Sequence, residues 1–410
     1  MKPKIFLPLL LSFLILNSSL LISTVRYVSP TGSSTPPYTS WETAADSIME
    51  CINISVFGDT IYVANGTYKE QVVMIPGLSL IGAGMDSCMI DFEITGIAIQ
   101  VVENCLLKGF NILVLSNINT IGISGSGNNS LITLNNVTNA SQAIYISNSN
   151  HTVYKNILND IRTRGINIFN SNSLVAGNII NTNTDFGSGV HIEAFDISYT
   201  PTIDSNIIES AGDGIFIAFG SKPTITNNTI VLKGDYAKGY QGSYTDTAKV
   251  FNNIVIANQS FPNSDGFINT GVPHQTHNNK VFGELGNGFV FTGDDSHLIQ
   301  LINNSVINSN NGIINSGGQG INAHYNNSWN NDVNYSGFTP DSTNLSVDPM
   351  IVNEDSTKGD LDFHLQKFSP LIDAGDPNIL DKDGSRSDIG LYGGPFGESY
   401  SYFDLAHDLP

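Results

Sequence analysis

Short runs of alternating apolar and polar residues fill this chain, and they return on a fixed period. A Gly-Ile-x-Ile motif stands at Gly96-Ile97-Ala98-Ile99, Gly165-Ile166-Asn167-Ile168, Gly189-Val190-His191-Ile192 and Gly214-Ile215-Phe216-Ile217. Looser copies lie at Gly122-Ile123-Ser124, Ala143-Ile144-Tyr145-Ile146, Gly266-Phe267-Ile268, Gly288-Phe289-Val290-Phe291 and Gly312-Ile313-Ile314, mostly 21 to 26 residues apart. Between them recurs an Asn-centred motif, as in Asn178-Ile179-Ile180, Asn206-Ile207-Ile208, Asn227-Asn228-Thr229-Ile230 and Asn252-Asn253-Ile254-Val255. Alternation of period two predicts strands with one buried face. No helical stretch separates the runs, which excludes strand-helix-strand units. A repeat of this length predicts a solenoid, with each strand stacked on its counterpart one coil later. The glycine before each strand is expected to supply a sharp corner that other residues avoid. The Asn pairs are expected at another corner, tolerating left-handed backbone and bonding to one another when stacked.

The ends fit a capped rod. Residues 40–54 place Trp41, Ala44, Ala45, Ile48 and Ile52 on one helical face, and Thr39 and Glu42 are spaced as a capping box. This predicts a helix over the open N-terminal end. The opening segment Tyr27-Val28-Ser29-Pro30-Thr31-Gly32, Gly58-Asp59-Thr60-Ile61-Tyr62-Val63 and Gly66-Thr67-Tyr68-Lys69-Glu70, with the closing stretch from Gly359 to Gly390, completes the pattern. On these residues the chain resembles the right-handed parallel β-helix proteins, the pectin-lyase-like superfamily, over residues 25–395. The resemblance implies an all-β, right-handed, single-stranded parallel β-helix with an N-terminal capping helix. About eleven coils at roughly 4.8 Å each make a rod about 50 Å long. It implies no single chemistry, because that superfamily holds lyases, hydrolases, esterases, phage tailspikes and adhesins.

Residues 1–23 read as a secretory signal, with Lys2 and Lys4 before the apolar run Ile5–Leu16 and Ser23 at the cut; an uncleaved anchor is the alternative. Residues 24–410 then form one domain: cap and first coils to 95, regular coils 96–328, closing segment 329–410. Beyond the signal no stretch is suited to span a membrane. Cys51, Cys88 and Cys105 are odd in number and read as small apolar fillers, with one bridge as the alternative.

Charge narrows the partners. Charged residues make up 13% of the chain and the net charge is −20. That argues against nucleic acid, whose binding depends on Lys and Arg neutralising phosphate. It also disfavours an anionic polysaccharide, unless cations or a local basic patch intervene.

Aligning coils on the Gly-Ile corner stacks Arg164, Ser188, Asp213, Lys238, Asp265, Asn287 and Asn311 in one column. Two residues further on, an outward column runs Tyr145, Asn167, His191, Phe216 and Gln241, with Glu193 following on the same face. The same coils carry extra loops, residues 195–201 and 231–247, the latter with Tyr236, Tyr240 and Tyr244. Loops on a rigid rod can wall a groove. Tyr145, Asn167, Phe216 and Tyr240 are therefore candidate substrate contacts. Asp213 and Asp265 are candidates for the two carboxylates of glycoside hydrolysis. Arg164 or Lys238 is the alternative, as the base of a β-elimination, and His191 and Glu193 adjoin both.

Specific enzyme signatures fail. Asn183-Thr184-Asp185 resembles the Asn-Thr-Asp of polygalacturonase-like hydrolases, but the companion Asp pair, Gly-His-Gly and Arg-x-Lys are absent. Asp294-Asp295 reads as a solvated turn. Asp381, Asp383 and Asp388 imitate a calcium loop whose first and twelfth positions, Ile379 and Gly390, do not fit. No cofactor is expected, calcium being the one candidate. The reading is an extracellular, monomeric β-helix protein that binds and cleaves polysaccharide as a lyase or hydrolase. The alternative is a non-catalytic surface or adhesion protein.

Overall fold

Each repeat folds into three short strands, and each strand pairs in parallel with its counterpart one coil on. The computed structural model describes residues 23–115, 119–243, 248–270, 274–292, 299–317 and 321–404. Residues 1–22 of the expected signal, the Asp294-Asp295 turn and Tyr244 lie outside the described residues. Three parallel sheets run along the solenoid. Sheet A has 13 strands, from Val25–Val28 to Ile321–His324. Sheet B has 12, from Gly66–Tyr68 to Asn327–Trp329, and sheet C has 12, from Val72–Val73 to Val333–Ser336.

The alternation read from sequence places the core. In sheet C, Ile166, Val190, Ile215, Tyr240, Phe267, Phe289 and Ile313 are in register on successive coils. All are buried. Ile217 is fully buried, whereas Phe216 lies on the outer face.

The glycines of the repeat act by a different route from the one expected. Gly165, Gly189, Gly214, Gly239, Gly266 and Gly288 are not in the left-handed region; they lie within the strands of sheet C. Each is glycine because the coils touch there. A Cβ on Gly214 would sit 2.4 Å from the Gly239 carbonyl oxygen and 2.5 Å from Ile230 Cγ2 of sheet B. A Cβ on Gly189 would sit 2.3 Å from Ile208 Cγ2. The left-handed corner is instead at the Asn motif, where Lys155, Gly177, Ser205, Asn227, Asn252, Asn278, Asn303 and Tyr325 all have positive φ. Asn is over-represented there because its short polar side chain tolerates that conformation.

The residue after each of these turns inward, giving Asn156, Asn178, Asn206, Asn228, Asn253, Asn279, Asn304 and Asn326, and buried Asn135 and half-buried Asn344 complete the ladder at its two ends. Each Nδ2 donates to Oδ1 of the next Asn at 2.9–3.1 Å. The same Oδ1 accepts the backbone N–H of the Asn before it, as in Asn228 N to Asn253 Oδ1 at 3.0 Å. The second Nδ2 hydrogen reaches a sheet A carbonyl, Ile203 O from Asn228 at 2.9 Å. Only a side-chain amide offers two donors and an acceptor in this arrangement.

The N-terminal helix is shorter than expected. It spans Ile48–Asn53, capped by Ser47 rather than Thr39. Residues 42–45 do not join it because their backbone is engaged elsewhere: Glu42, Thr43 and Ala44 O accept the N–H groups of Ser33, Thr35 and Ser34, Ala45 N–H donates to Tyr27 O, and Ser29 N–H to Ala45 O. Trp41 is consequently exposed. The Glu70 carboxylate, at the end of the Gly66-Thr67-Tyr68-Lys69-Glu70 motif, accepts the Ile48 and Met49 N–H groups at 2.8 and 2.9 Å. All three cysteines are free and buried fillers. Burial pushes the Cys51 thiol up to about 12 and Cys88 to about 11. Among the described residues no helix is long and apolar enough to cross a membrane.

After the last coil the chain turns back along the outside of sheet B. Ile351, Phe363, Leu365, Leu371 and Ile389 pack on Ile254, Ile256, Phe282 and Ile307 as a second apolar cluster. Asn278 Nδ2 donates to Asp388 O at 3.0 Å, anchoring this strap. Neither sheet A nor sheet C contributes a buried strand residue to this second cluster.

Substituting one rung tests the ladder. Asn228→Asp places a charge and no donor against Ile203 O and Asn253 Oδ1, and is expected to cost about 3–5 kcal/mol in chemical denaturation. Asn183→Asp, on an exposed corner, is expected to change stability by under about 0.5 kcal/mol. Equal losses would show that the ladder carries no special weight.

Candidate functional site

Sheet C brings the two predicted columns together on its outer face. Arg164 pairs in register with Ser188 and Ser188 with Asp213; Lys238 pairs with Asp265 and Asp265 with Asn287. Asp213 and Lys238 meet because Ile215 pairs with Tyr240 two residues further on. The second column is also in register: Tyr145 with Asn167, His191 and Phe216, followed by Gln241.

The electrostatics of the first column are uneven. Burial pushes Asp213 up to about 6, against the pull of Lys238. Asp265 is also raised by burial, while Asn287 and Lys238 oppose the rise. Asn287 Nδ2 donates to Asp265 Oδ1 at 2.6 Å, and Asn311 Nδ2 to Asn287 Oδ1 at 3.0 Å. Lys238 thus lies one coil from each carboxylate, and the two carboxylates are two coils, roughly 9.6 Å, apart along the backbone.

The second column is more enclosed than its outward register suggests. His191 is only 7% exposed, because Asn167 and Phe216 stack on either side of it. The Phe216 ring lies 5.1 Å from the imidazole. Burial, with Arg164 nearby, lowers His191 to about 3, so the ring is neutral. Its Nε2 is buried without a hydrogen-bond partner, 3.6 Å from Glu193 Oε2. Asn167 is buried and donates to Gln142 Oε1 at 2.8 Å. Tyr145 and Phe216 are half-buried on the open face.

Tyr240 does not belong to this face. It is 1% exposed and points into the core, with its hydroxyl 3.4 Å from His274 Nδ1. It occupies the inward Ile position of the repeat. Gly242, in register with Ile217, makes the room: a Cβ there would meet Tyr240 Oη and His274 Cε1 at 2.7 Å. Gly239-Tyr240-Gln241-Gly242 is therefore Gly-Ile-x-Ile with one large and one absent side chain.

Two aromatics rim the charged column instead. Phe186 is fully exposed and Tyr236 is 71% exposed, each two residues before the column. Phe186 carried no signal as a residue; the signal was the unequal spacing between the Asn and Gly motifs. On the far side of the sheet, Phe195 of the 195–201 loop meets Phe169 edge-on at 5.0 Å.

A concavity of about 660 Å³ lies further along the same corner, between residues 257–260, 282–284 and 308–310 and the strap at 354–361. Desolvated carboxyls occur both on sheet C and on the strap, where burial pushes Asp388 up to about 6 and also raises Asp381. Asp355, in this concavity, is pulled down to about 2 by Thr357 and Lys358. Asp381, Asp383 and Asp388 spend carboxylate oxygens on backbone N–H groups of the strap. Among the described residues no group of three or more His, Cys, Asp or Glu is placed to hold a metal.

Residues 82–230 match the family model described as a right handed beta helix region. The chain is a right-handed parallel β-helix. It is similar in fold to the pectate lyase Pel9A, at 17% identity and a TM-score of 0.54, covering 90% of this chain and 97% of that one. Weaker likenesses are the PL6 family alginate lyase AlyGC (13% identity, TM-score 0.49, 87% of this chain and 58% of that one) and PfbA, a surface adhesin of Streptococcus pneumoniae (12%, 0.40, 78% and 94%). No curated protein matches the β-helix by sequence. At these identities the likeness is one of fold, and no specific enzyme family is matched.

The raised carboxyl of Asp213 gives a stability prediction. A folded-state value of about 6 against the ordinary 3.8 means that the folded protein holds a proton the unfolded chain releases. Stability from this site is therefore greatest below pH 3.8 and falls as pH rises to about 6. Asp213→Asn is expected to raise the melting temperature at pH 8 relative to wild type and to leave it nearly unchanged at pH 3.5. An equal shift at both pH values would contradict the desolvation.

Proposed function

We propose that this protein is exported and that it binds polysaccharide across the outer face of sheet C, hydrolysing a glycosidic bond there. The observation that carries the reading is Asp213, a carboxyl raised to about 6 on an open, aromatic-rimmed face, with Lys238 one coil away and Asp265 two. A carboxyl with that value is a proton donor in mildly acidic solution. Asp213 gives its proton to the leaving oxygen, and Asp265 takes a proton from the water that adds to the sugar carbon. Asn287 and Lys238 favour the ionised form that Asp265 needs as base. Inverting hydrolysis places its carboxyl groups about 6.5–9.5 Å apart, and retaining hydrolysis about 5 Å. Residues two coils apart suit the first. Elimination by Arg164 or Lys238 is disfavoured by charge, since it needs an anionic sugar and the chain carries −20. Pectate lyase Pel9A supports a carbohydrate role by its shared fold alone.

A second reading, a non-catalytic surface protein, has one observation in its favour. Asp265, Asn287 and Asn311 bond to each other along the rod, as groups on a purely structural face do. A panel of polysaccharides, read for new reducing ends and for absorbance from unsaturated sugars, separates the possibilities. Reducing ends without absorbance are expected. On the substrate found, Asp213→Ala or Asp265→Ala is expected to lose about 10²–10⁴-fold in kcat. The wild-type kcat/KM is expected to fall as pH rises past about 6, where Asp213 gives up its proton. Unsaturated products, or full activity in both variants, would overturn hydrolysis. Binding without any product would favour the surface protein. Sequencing the N-terminus of secreted protein tests export, with a start near Thr24 expected and an intact Met1 contradicting cleavage.

A further inference from the structure

The corner between sheets B and C changes length abruptly at Asp213. Thr182, Ser210 and Leu232 are in register at the ends of successive sheet B strands, and Ser188, Asp213 and Lys238 at the starts of the sheet C strands that follow. Between them lie residues 183–187, then only Ala211 and Gly212, then residues 233–237. Two five-residue loops thus flank a two-residue corner. The result is a notch across the rod, floored by Ala211-Gly212 and opening beside Asp213.

Both walls are held firmly and both end in an exposed aromatic. In the first, Gly187 N–H donates to Thr184 O at 3.0 Å, and the Thr184 hydroxyl bonds to Arg162 O. In the second, Asp235 accepts Asn263 N–H at 3.1 Å and Nδ2 at 2.7 Å, and Ser264 Oγ donates to Gly234 O at 2.9 Å. Phe186 stands fully in solvent. Tyr236 is held at φ 83 with 71% of its surface exposed. The floor is closely stacked: a Cβ on Gly212 would meet Gly187 O at 2.3 Å.

We infer that this notch takes one neutral pyranose ring of the bound polysaccharide, sandwiched between Phe186 and Tyr236 with an edge toward Asp213. This rests on the reading of sheet C as a polysaccharide site. The dimensions fit: walls two coils apart are roughly 9.6 Å from each other, and a ring with a gap of about 4 Å on each side fills about 8 Å. The chemistry fits as well. Aromatic faces match the C–H faces of a sugar, and the cations beside the notch are already engaged, Lys233 by Glu209 and Lys238 by Asp213 and Asp265, which disfavours a uronate. The chain therefore crosses the rod at this point, since a loop stands on either side of the notch along the axis.

Isothermal titration calorimetry with cellohexaose, mannohexaose, xylohexaose and oligogalacturonate tests this, using the full chain with Asp213→Asn to prevent turnover. In that background, Phe186→Ala and Tyr236→Ala are each expected to weaken binding of a neutral hexasaccharide roughly tenfold. Ala211→Phe, which fills the notch, is expected to abolish it. Phe368→Ala, an equally exposed ring on the strap, is expected to change nothing. Circular dichroism keeps misfolded variants out of the comparison, and Tyr236→Phe, with the ring intact, is expected to retain affinity. Neutral binding that survives Phe186→Ala, Tyr236→Ala and Ala211→Phe overturns the notch alone. Binding of oligogalacturonate only overturns the neutral ring. A protein that binds none of the four overturns the polysaccharide reading together with the notch.

Discussion

Everything on the outer face depends on one buried interaction, the amide ladder that runs from Asn135 to Asn344. Parallel strands of period two can slip by a residue and exchange their faces. The ladder forbids this, because each Oδ1 must accept two N–H groups from the coil before it and each Nδ2 must reach both the next rung and a sheet A carbonyl. A made hydrogen bond adds about 0.5–1.5 kcal/mol, whereas a buried amide left unpaired loses about 1–3 kcal/mol. The penalty for a slipped register is thus larger than the gain from a correct one, and it recurs at every rung. Strands mostly of three to six residues hold a long, exact stack for this reason.

With the register fixed, the outer face of sheet C becomes a set of columns whose neighbours are set by coil number. Charges far apart in sequence, Arg164, Asp213, Lys238 and Asp265, stand within a few coils of one another. Their environment comes from the same stacking. His191 is covered by the residues above and below it in its column, and Asp213 is raised because its coil-neighbours remove water from it. The strap protects sheet B and takes no buried strand residue from sheet A or sheet C. Rigidity of the coil and variation of its corner loops divide the work of scaffold and site.

Much of this was legible in the chain. The repeat gave the solenoid, the in-out alternation of Phe216 and Ile217, the polar columns and the stacking of Asn side chains. What failed did so for packing reasons. The glycine of Gly-Ile-x-Ile looked like a turn residue, and only the distance from Gly214 to the Gly239 carbonyl reveals a close approach. Tyr240 looked like a surface ring because its partner in space, Gly242, is two residues away and its companion His274 a coil and a half further on. The N-terminal helix was overdrawn since pairing of Ala45 with the first strand is not visible in a helical wheel. Phe186 was missed because an exposed aromatic is unremarkable until its loop is set beside the two-residue corner of the next coil.

The most direct test of the account is a crystal structure of Asp213→Asn with a bound neutral hexasaccharide. Sugar density across the outer face of sheet C, with a glycosidic oxygen within hydrogen-bonding distance of residue 213, is the predicted result. Sugar in the cleft between residues 257–260, 282–284 and the 354–361 strap, with sheet C bare, would contradict it.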